Sequence, residues 1–221
     1  GPVPPPIPIT LDYVFGLKGD VKNNVHFLDD NTVLYPAGYN IVIYNTEKKT
    51  QKFIALGSPD HVSSCDISSM ALLNSNTLPN YSHSNNAAAT SALSSLSKST
   101  RLLAVAERGE RNNATVTVMD LQSMRKKTRY VLSSPDVNSS EFVSLAFSSD
   151  GRYLLTQGGG PDWTLVRWMW DKGKVLLSSR VSNSAGGQIT QVSYCPVDSN
   201  VICITGNGIL RFLHCEDSEM R

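Results

Sequence analysis

The stretch FVSLAFSSDGRYLLTQGGGPDWTLVRWMWDKGKVLLSSR, residues 142–180, decides the fold of this chain. In its first β-rich run, Val143, Leu145 and Phe147 alternate with small residues, as side chains on the two faces of a strand do. Three further β-rich runs follow, each bounded by turn residues. The four predicted strands are at 142–147, 152–156, 165–170 and 174–180.

The same quartet of strands recurs along the chain. The other predicted strands are at 24–28, 32–35, 41–44 and 51–56 in a first set, at 62–68, 101–106, 115–119 and 129–132 in a second, and at 189–194, 201–205 and 209–213 in an incomplete fourth. A four-stranded unit repeated every ~40 to 50 residues is typical of a β-propeller blade. The sequence therefore predicts an all-β propeller of about four blades.

Short motifs indicate which kind of propeller this is. Trp170-Asp171 closes the third strand of its set, where WD repeats carry their WD dipeptide, and Met119-Asp120 and Tyr44-Asn45 are weaker versions at comparable places. Residues 148–151, SSDG, match the turn that joins the first two strands of a WD blade. We interpret the fold as WD40-like, with His61 in a structural position of the repeat.

Trp163, Trp168 and Trp170 allow two interpretations. Exposed tryptophans are favoured in binding hot spots and could form a recognition patch. Trp168 and Trp170, however, lie at period two on one face of a predicted strand. We therefore expect them to pack between blades.

The chain divides into three parts by composition. Residues 1–10 form a Pro-rich lead that begins with Gly1-Pro2, a pair typical of what a protease leaves after removing a purification tag. Residues 11–221 form the propeller portion. Within it, residues 69–99 are rich in Ser, Asn and Ala, and such a segment buries too little apolar surface to offset its ordering entropy. We expect a low-complexity insertion there.

The fourth predicted blade lacks its outer strand. Two blade faces would then be open, which predicts that these blades are part of a larger propeller and that further blades of the same polypeptide cover those faces. The alternative is a closed ring of four blades, in which residues 13–17 supply the outer strand of the fourth.

Composition and charge exclude several classes of partner. The formal net charge is +1, so the basic surplus of a nucleic-acid-binding protein is absent. No apolar run approaches the ~20 residues that span a bilayer, so no membrane partner is expected. Cys65, Cys195, Cys203 and Cys215 are widely spaced, without the pairing that a zinc site or disulfide framework needs. We expect no metal and no cofactor.

Enzyme chemistry has little support in the residues. The glycines at 158–160 and 206–208 precede predicted strands instead of helices, so we interpret them as hairpin turns needing positive φ and not as phosphate loops. The four histidines are scattered, without a nucleophile or acid beside them. A hydrolase on a propeller scaffold would need two clustered carboxylates in a cleft. We predict a non-enzymatic binding protein.

One basic cluster is a candidate partner-binding site. Arg125, Lys126, Lys127 and Arg129 fall in the turn between the third and fourth strands of the second blade. They could attract an acidic partner such as a tubulin tail, each exposed contact supplying ~1 kcal/mol or less. The alternative is an ordinary solvated turn.

Longer strings resemble a known family. VFGLKGDVKNNVHF (14–27), YPAGYNIVIYN (35–45), SLAFSSDGRYLLTQ (144–157), LVRWMWDKGKV (165–175) and QVSYCPVDSNVICITGNGILRFL (191–213) are similar to the N-terminal propeller of the ciliary WD-repeat family of cilia- and flagella-associated protein fifty-seven. The resemblance implies a scaffold of the axoneme, located in cilium or flagellum, that helps dock or regulate inner dynein arms on doublet microtubules. The alternative function is a general cytosolic WD-repeat adaptor in another multiprotein assembly.

Overall fold

The structure is a computed structural model that describes residues 11–56, 66–75, 100–122, 129–134, 137–181 and 187–216. Its regular elements are antiparallel strands, apart from short 3₁₀ turns. Each sheet consists of strands that follow one another along the chain. The first two sheets, blades 1 and 2, contain β1 (His26–Asp29), β2 (Thr32–Ala37), β3 (Asn40–Asn45), β4 (Thr50–Ala55), β5 (Ile67–Asn74), β6 (Arg101–Glu107), β7 (Thr115–Asp120) and β8 (Arg129–Leu132).

Blade 3 has four strands and blade 4 has three among the described residues. Within each blade the spatial order of the strands is their order in the sequence. The strands are β9 (Phe142–Phe147), β10 (Leu154–Gly158), β11 (Thr164–Met169), β12 (Lys174–Arg180), β13 (Ile189–Cys195), β14 (Asp198–Gly206) and β15 (Ile209–His214). The all-β propeller fold predicted from the repeat is confirmed.

The flat faces of neighbouring blades pack together in apolar cores. In β10, Leu154 points into the core between blades 2 and 3, and the next residue, Leu155, points into the core between blades 3 and 4. In β6, Leu103 and Ala104 divide in the same way between the cores on either side of blade 2. Because successive side chains of a strand point to opposite faces, one strand supplies two cores, and the blades stack in chain order.

The first strand of blade 2 was predicted wrongly, and with it the start of the insertion. The prediction ended this strand at residue 68 and began the low-complexity insertion at 69, whereas β5 runs through Asn74. Met70 packs into the core with blade 1, and Ala71 into the core with blade 3. The short apolar run at 70–73 is thus buried on both faces and forms a strand despite the Ser- and Asn-rich sequence around it. Residues 76–99, and His61, lie outside the described residues.

The SSDG turn between β9 and β10 is confirmed. Gly151 has a φ of 69° and its N–H donates to the carbonyl oxygen of Ser148 at 2.9 Å. The hydroxyl of Ser148 donates to Asp150 Oδ1 at 2.6 Å and accepts the N–H of Tyr153 at 2.9 Å. The Ser148 hydroxyl, the Asp150 carboxylate and the backbone of Gly151 thus stabilise the turn through contacts within the turn itself.

The glycine clusters are turns, as predicted, although the reason for glycine differs. At the β14–β15 hairpin, Gly208 has a φ of 69°, which matches the expectation. Gly158, the last residue of β10, and Gly159 and Gly160 after it do not have positive φ, so that part of the prediction is wrong. A Cβ on Gly158 would lie 3.1 Å from the side chain of Ser139, and one on Gly159 would lie 3.1 Å from Glu141. Glycine leaves space there for the segment that leads into β9.

Candidate interaction surfaces

Serines tie the innermost strands of adjacent blades together. The hydroxyl of Ser69 in β5 donates to the carbonyl oxygen of Phe142 in β9 at 2.7 Å. The hydroxyl of Ser144 in β9 accepts the N–H of Val192 in β13 at 3.1 Å. Both serines are fully buried. The strands that line the propeller axis are therefore held laterally by hydrogen bonds as well as by apolar packing.

The tryptophans fill the spaces between blades. Trp168 is fully buried in the core between blades 2 and 3, and its indole N–H donates to Thr156 Oγ1 at 2.9 Å. Trp170 packs against the same core, and its N–H donates to the carbonyl oxygen of Gly151 at 2.8 Å. Trp163 packs against the core between blades 3 and 4. The prediction that Trp168 and Trp170 pack between blades is confirmed.

Charged residues from three blades meet at one end of the propeller. Asp66, directly before β5, pairs with Lys18 and accepts from Arg108 Nη1 at 2.5 Å. Arg108 Nε donates to Glu141 Oε2, directly before β9, at 3.0 Å. Asp20 lies 3.7 Å from Lys18 Nζ and 3.9 Å from Arg108 Nη1. We call these five residues the charge hub.

Within the charge hub, opposite charges stabilise each other's ionised forms. The hydrogen bond with Lys18 is the main cause that lowers the pKa of Asp66, and the same bond raises the pKa of Lys18. Burial acts to lower the pKa of Arg108, but Glu141 and Asp66 outweigh it and raise that pKa. All three groups are thus kept charged at neutral pH, which suits a clamp between blades and does not suit proton transfer.

An open cleft of about 590 Å³ lies beside the charge hub. Turns of two blades form it, because Gly38 and Tyr39 connect β2 to β3, and Gly109 and Glu110 follow β6. The ring of Tyr39 is 62% exposed. The cleft therefore offers an aromatic side chain beside charges that are already paired.

A second cavity, of about 350 Å³, lies between the innermost strands of the blades. Residues from β5, β9 and β13 line it together with His26 of β1. Burial lowers the pKa of His26, against a backbone hydrogen bond with Asn23 that raises it. In the described part of the chain, the Nε2 atom of His26 is buried without a hydrogen-bond partner. His26 is therefore held neutral at pH 7.

Sequence reasoning missed the charge hub because its members are far apart in the chain. Lys18, Asp66, Arg108 and Glu141 meet only when the blades stack. One signal was available, since Asp66 and Glu141 each directly precede the first strand of a blade. Alignment of the repeats would have brought these two acids to one end of the propeller.

The predicted basic cluster is not tested by the structure. Arg125, Lys126 and Lys127 lie outside the described residues, and of Arg129 only the backbone, at the start of β8, is described. In the described ranges there is no group of three or more His, Cys, Asp or Glu side chains that could hold a metal ion. Nor do those ranges contain a helix with the length and apolar character that a membrane crossing needs.

The flanks at the two ends of the stack of blades carry exposed apolar side chains. On the outer face of blade 4, Leu210 is 67% exposed and Phe212 is 68% exposed. At blade 1, residues 13–17 lie beside Tyr44 and Gln51, and they are not part of the sheet of blade 4. The alternative in which these residues complete the fourth sheet is therefore wrong for this structure.

Stacked four-stranded blades, an SSDG turn and a tryptophan directly after the third strand of a blade define a WD-repeat β-propeller. No protein-family model matches the chain. The chain is, however, similar to individual proteins. Cilia- and flagella-associated protein 57 of Mus musculus is 35% identical over 95% of this chain. Cilia- and flagella-associated protein 57 C of Tetrahymena thermophila is 30% identical over 90% of it. Human cilia- and flagella-associated protein 52 is 23% identical over 92%. The chain belongs to the cilia- and flagella-associated protein 57 family.

The chain spans a small part of these relatives. It covers 14% of the length of the Mus musculus protein, 13% of the Tetrahymena thermophila protein and 27% of the human protein. The resemblance predicted from the strings in the sequence is confirmed at the level of the family.

Proposed function

We propose that this propeller is a non-enzymatic protein–protein interaction scaffold of the ciliary or flagellar axoneme, and that it helps dock or regulate inner dynein arms on doublet microtubules. The observation that carries the proposal is the 35% identity with cilia- and flagella-associated protein 57 of Mus musculus over 95% of the chain. The fold supports a scaffold, because propellers present rigid surfaces to other proteins. The paired charges of the hub also favour binding over catalysis.

The location and the dynein role are tested in cells. A tagged full-length protein is expected to co-purify with axonemes. Deletion of the gene is expected to remove the density of inner dynein arms from axonemes imaged by electron cryo-tomography. Loss of axonemal signal from the tagged protein would contradict the ciliary role. Affinity purification dominated by trafficking or ribosome-assembly machinery would favour the alternative, a general cytosolic adaptor.

A microtubule contact through the basic cluster is part of the proposal. Replacing Arg125, Lys126, Lys127 and Arg129 by Glu is expected to weaken co-sedimentation with microtubules several-fold, because charge reversal repels acidic tubulin tails. The matched control is Lys48→Glu with Lys49→Glu in the corresponding β3–β4 turn of blade 1, which is expected to bind normally. Equal loss in both variants, or equal binding to microtubules stripped of their tails, would contradict a specific contact.

Further blades of the same polypeptide are the proposed partners of the open flanks. The support is the exposed pair Leu210 and Phe212 on blade 4, together with the greater length of the relatives. The isolated 221-residue chain is expected to bind an apolar dye and to self-associate on size-exclusion chromatography. A monodisperse monomer that binds no dye would contradict this arrangement.

A further inference from the structure

Residues 11–18, which contain no regular secondary structure, run along the face of blade 1 that points away from blade 2 and end at Lys18 of the charge hub. We call this segment the strap. The N–H of Val14 donates to Gln51 Oε1 at 2.8 Å, and Gln51 Nε2 donates back to the carbonyl oxygen of Val14 at 3.0 Å. The N–H of Lys18 donates to the carbonyl oxygen of Pro36 at 2.9 Å. One side-chain amide thus bonds both polar backbone groups of Val14, as a neighbouring strand would.

The face that holds the strap follows from the register of the sheet. Gln51 is opposite Tyr44 across β3 and β4, and Ile54 is opposite Ile41. Ile41 and Ile54 belong to the core with blade 2. Since Gln51 and Ile54 are three residues apart in one strand, their side chains point to opposite faces. The strap therefore occupies the side of blade 1 on which a neighbouring blade would pack.

Four apolar side chains of the strap form an exposed row, and one of them, Tyr13, also lies against Tyr44 of blade 1, with the ring centroids 6.5 Å apart. Leu11 is 50% exposed, Tyr13 40%, Phe15 88% and Leu17 49%. They are alternate residues in the sequence. Val14, between Tyr13 and Phe15, and Lys18, after Leu17, are half-buried, whereas Asp12 and Gly16 are exposed. At ~3.3 Å per residue the row is at most about 20 Å long, within the length of an ordinary strand. Gly16, with a φ of 97°, interrupts the extended backbone, so the strap presents a short exposed apolar surface and not a regular strand face.

We propose that this row is a docking surface for the flank of a further blade of the same polypeptide, so that the strap is packed between that blade and blade 1. The inference rests on the further blades proposed above. Continuity with the established interfaces supports it, because both faces of blades 2 and 3 are apolar and covered by a neighbouring sheet. The four side chains of the row carry no charge, which fits an apolar sheet, and the exposed Asp12 beside them disfavours an acidic tail or a nucleic acid.

The length of the related proteins supports the same occupant. The chain covers 14% of the length of the Mus musculus relative, so a polypeptide of that size has ample sequence for more blades. Blade 4 does not fill the role here, because the strap contacts blade 1 while Leu210 and Phe212 stay exposed. The added blades would then connect the outer face of blade 4 to the strap.

Photo-cross-linking of the full-length polypeptide tests the proposal. Benzoylphenylalanine is incorporated at position 15, and in a matched control at position 131, where Val131 is 63% exposed on β8 and outside the strap. We expect the position-15 probe to form cross-links within one molecule, to peptides beyond residue 221, in at least five-fold higher yield than the control. Cross-links to a second copy, to another protein or only to residues 1–221, or a yield equal to the control, would overturn the proposal.

A second variant checks the same contact without a probe. Phe15→Asp in the full-length protein is expected to increase hydrogen exchange of the strap amides at least ten-fold, and Val131→Asp is expected to leave them unchanged. Unaltered strap exchange in Phe15→Asp would also overturn the inference. Both measurements use purified protein and do not depend on cilia. A negative result would therefore contradict the docking surface and not the axonemal role, whereas loss of axonemal location would contradict the axonemal role and not the docking surface.

Discussion

The guanidinium of Arg167 lies 4.1 Å from the centroid of the Tyr153 ring, at the joint between blades 3 and 4. Its Nη2 group donates to the carbonyl oxygen of Ser199 at 3.1 Å and to Asn200 Oδ1 at 3.3 Å. Arg167 is 6% exposed. A buried cation is thus held by a ring and by neutral oxygens, so the joint depends on arginine's planar, multiply donating side chain.

Arg167→Ala is expected to destabilise the chain by about 3 kcal/mol. The change removes the contact with Tyr153, leaves a cavity between the blades and leaves the oxygens of Ser199 and Asn200 without their donor. Urea unfolding monitored by tryptophan fluorescence measures the effect. The control is Arg180→Ala, whose side chain is 72% exposed beside Asp162 and whose loss is expected to cost less than about 0.5 kcal/mol. Equal effects of the two changes would refute this account.

Ser144→Ala is expected to cost about 1 to 3 kcal/mol, because it leaves the N–H of Val192 buried without an acceptor. Ser178→Ala, at an exposed position of β12, is expected to stay within about 0.5 kcal/mol of the parent protein. Hydrogen exchange adds a local readout, since the amide of Val192 should lose protection in Ser144→Ala alone. Retained protection there would mean that packing, and not the hydroxyl, holds β13 to β9.

Asp66→Asn is expected to lower stability by about 1 kcal/mol at pH 7 and low salt, a modest amount because the hub is partly exposed. Lys18 and Arg108 lower the pKa of Asp66 from its ordinary 3.8, so the folded state favours the ionised carboxylate. The contribution is therefore present above pH 3.8 and is lost as the pH falls through the lower, folded value. Unfolding curves from pH 7 to pH 2.5 measure it.

The control for Asp66→Asn is a substitution of an exposed acidic residue outside the charge hub. Asp171→Asn is expected to leave stability at pH 7 unchanged. High salt should reduce the effect of Asp66→Asn, because ions screen partly exposed pairs. A difference between Asp66→Asn and the parent that does not shrink between pH 7 and pH 2.5, or that does not respond to salt, would show that the charge hub does not stabilise the fold electrostatically.

The strands could be predicted because their signal is local. The run at 142–147 alternates cleanly, and β9 has those bounds. The strand β5 was misplaced because its six final residues contain only a short apolar run, without alternation, next to a long Ser- and Asn-rich segment. The charge hub and the position of the strap depend on contacts between distant residues, such as Val14 with Gln51, which appear in no local pattern.

His26→Leu is expected to make the chain more resistant to mild acid. Burial lowers the pKa of His26 below its ordinary 6.5, so the unfolded chain binds the proton more readily than the folded one. The stability that the neutral ring contributes is present above pH 6.5 and is lost as the pH falls through the lower, folded pKa. Melting temperatures between pH 7.5 and pH 5 should therefore fall less steeply in His26→Leu than in the parent, while His214→Leu, at an exposed position of β15, should follow the parent. Parallel curves for all three proteins would mean that His26 is not held neutral by its burial beside the propeller axis, and that the acid response originates elsewhere.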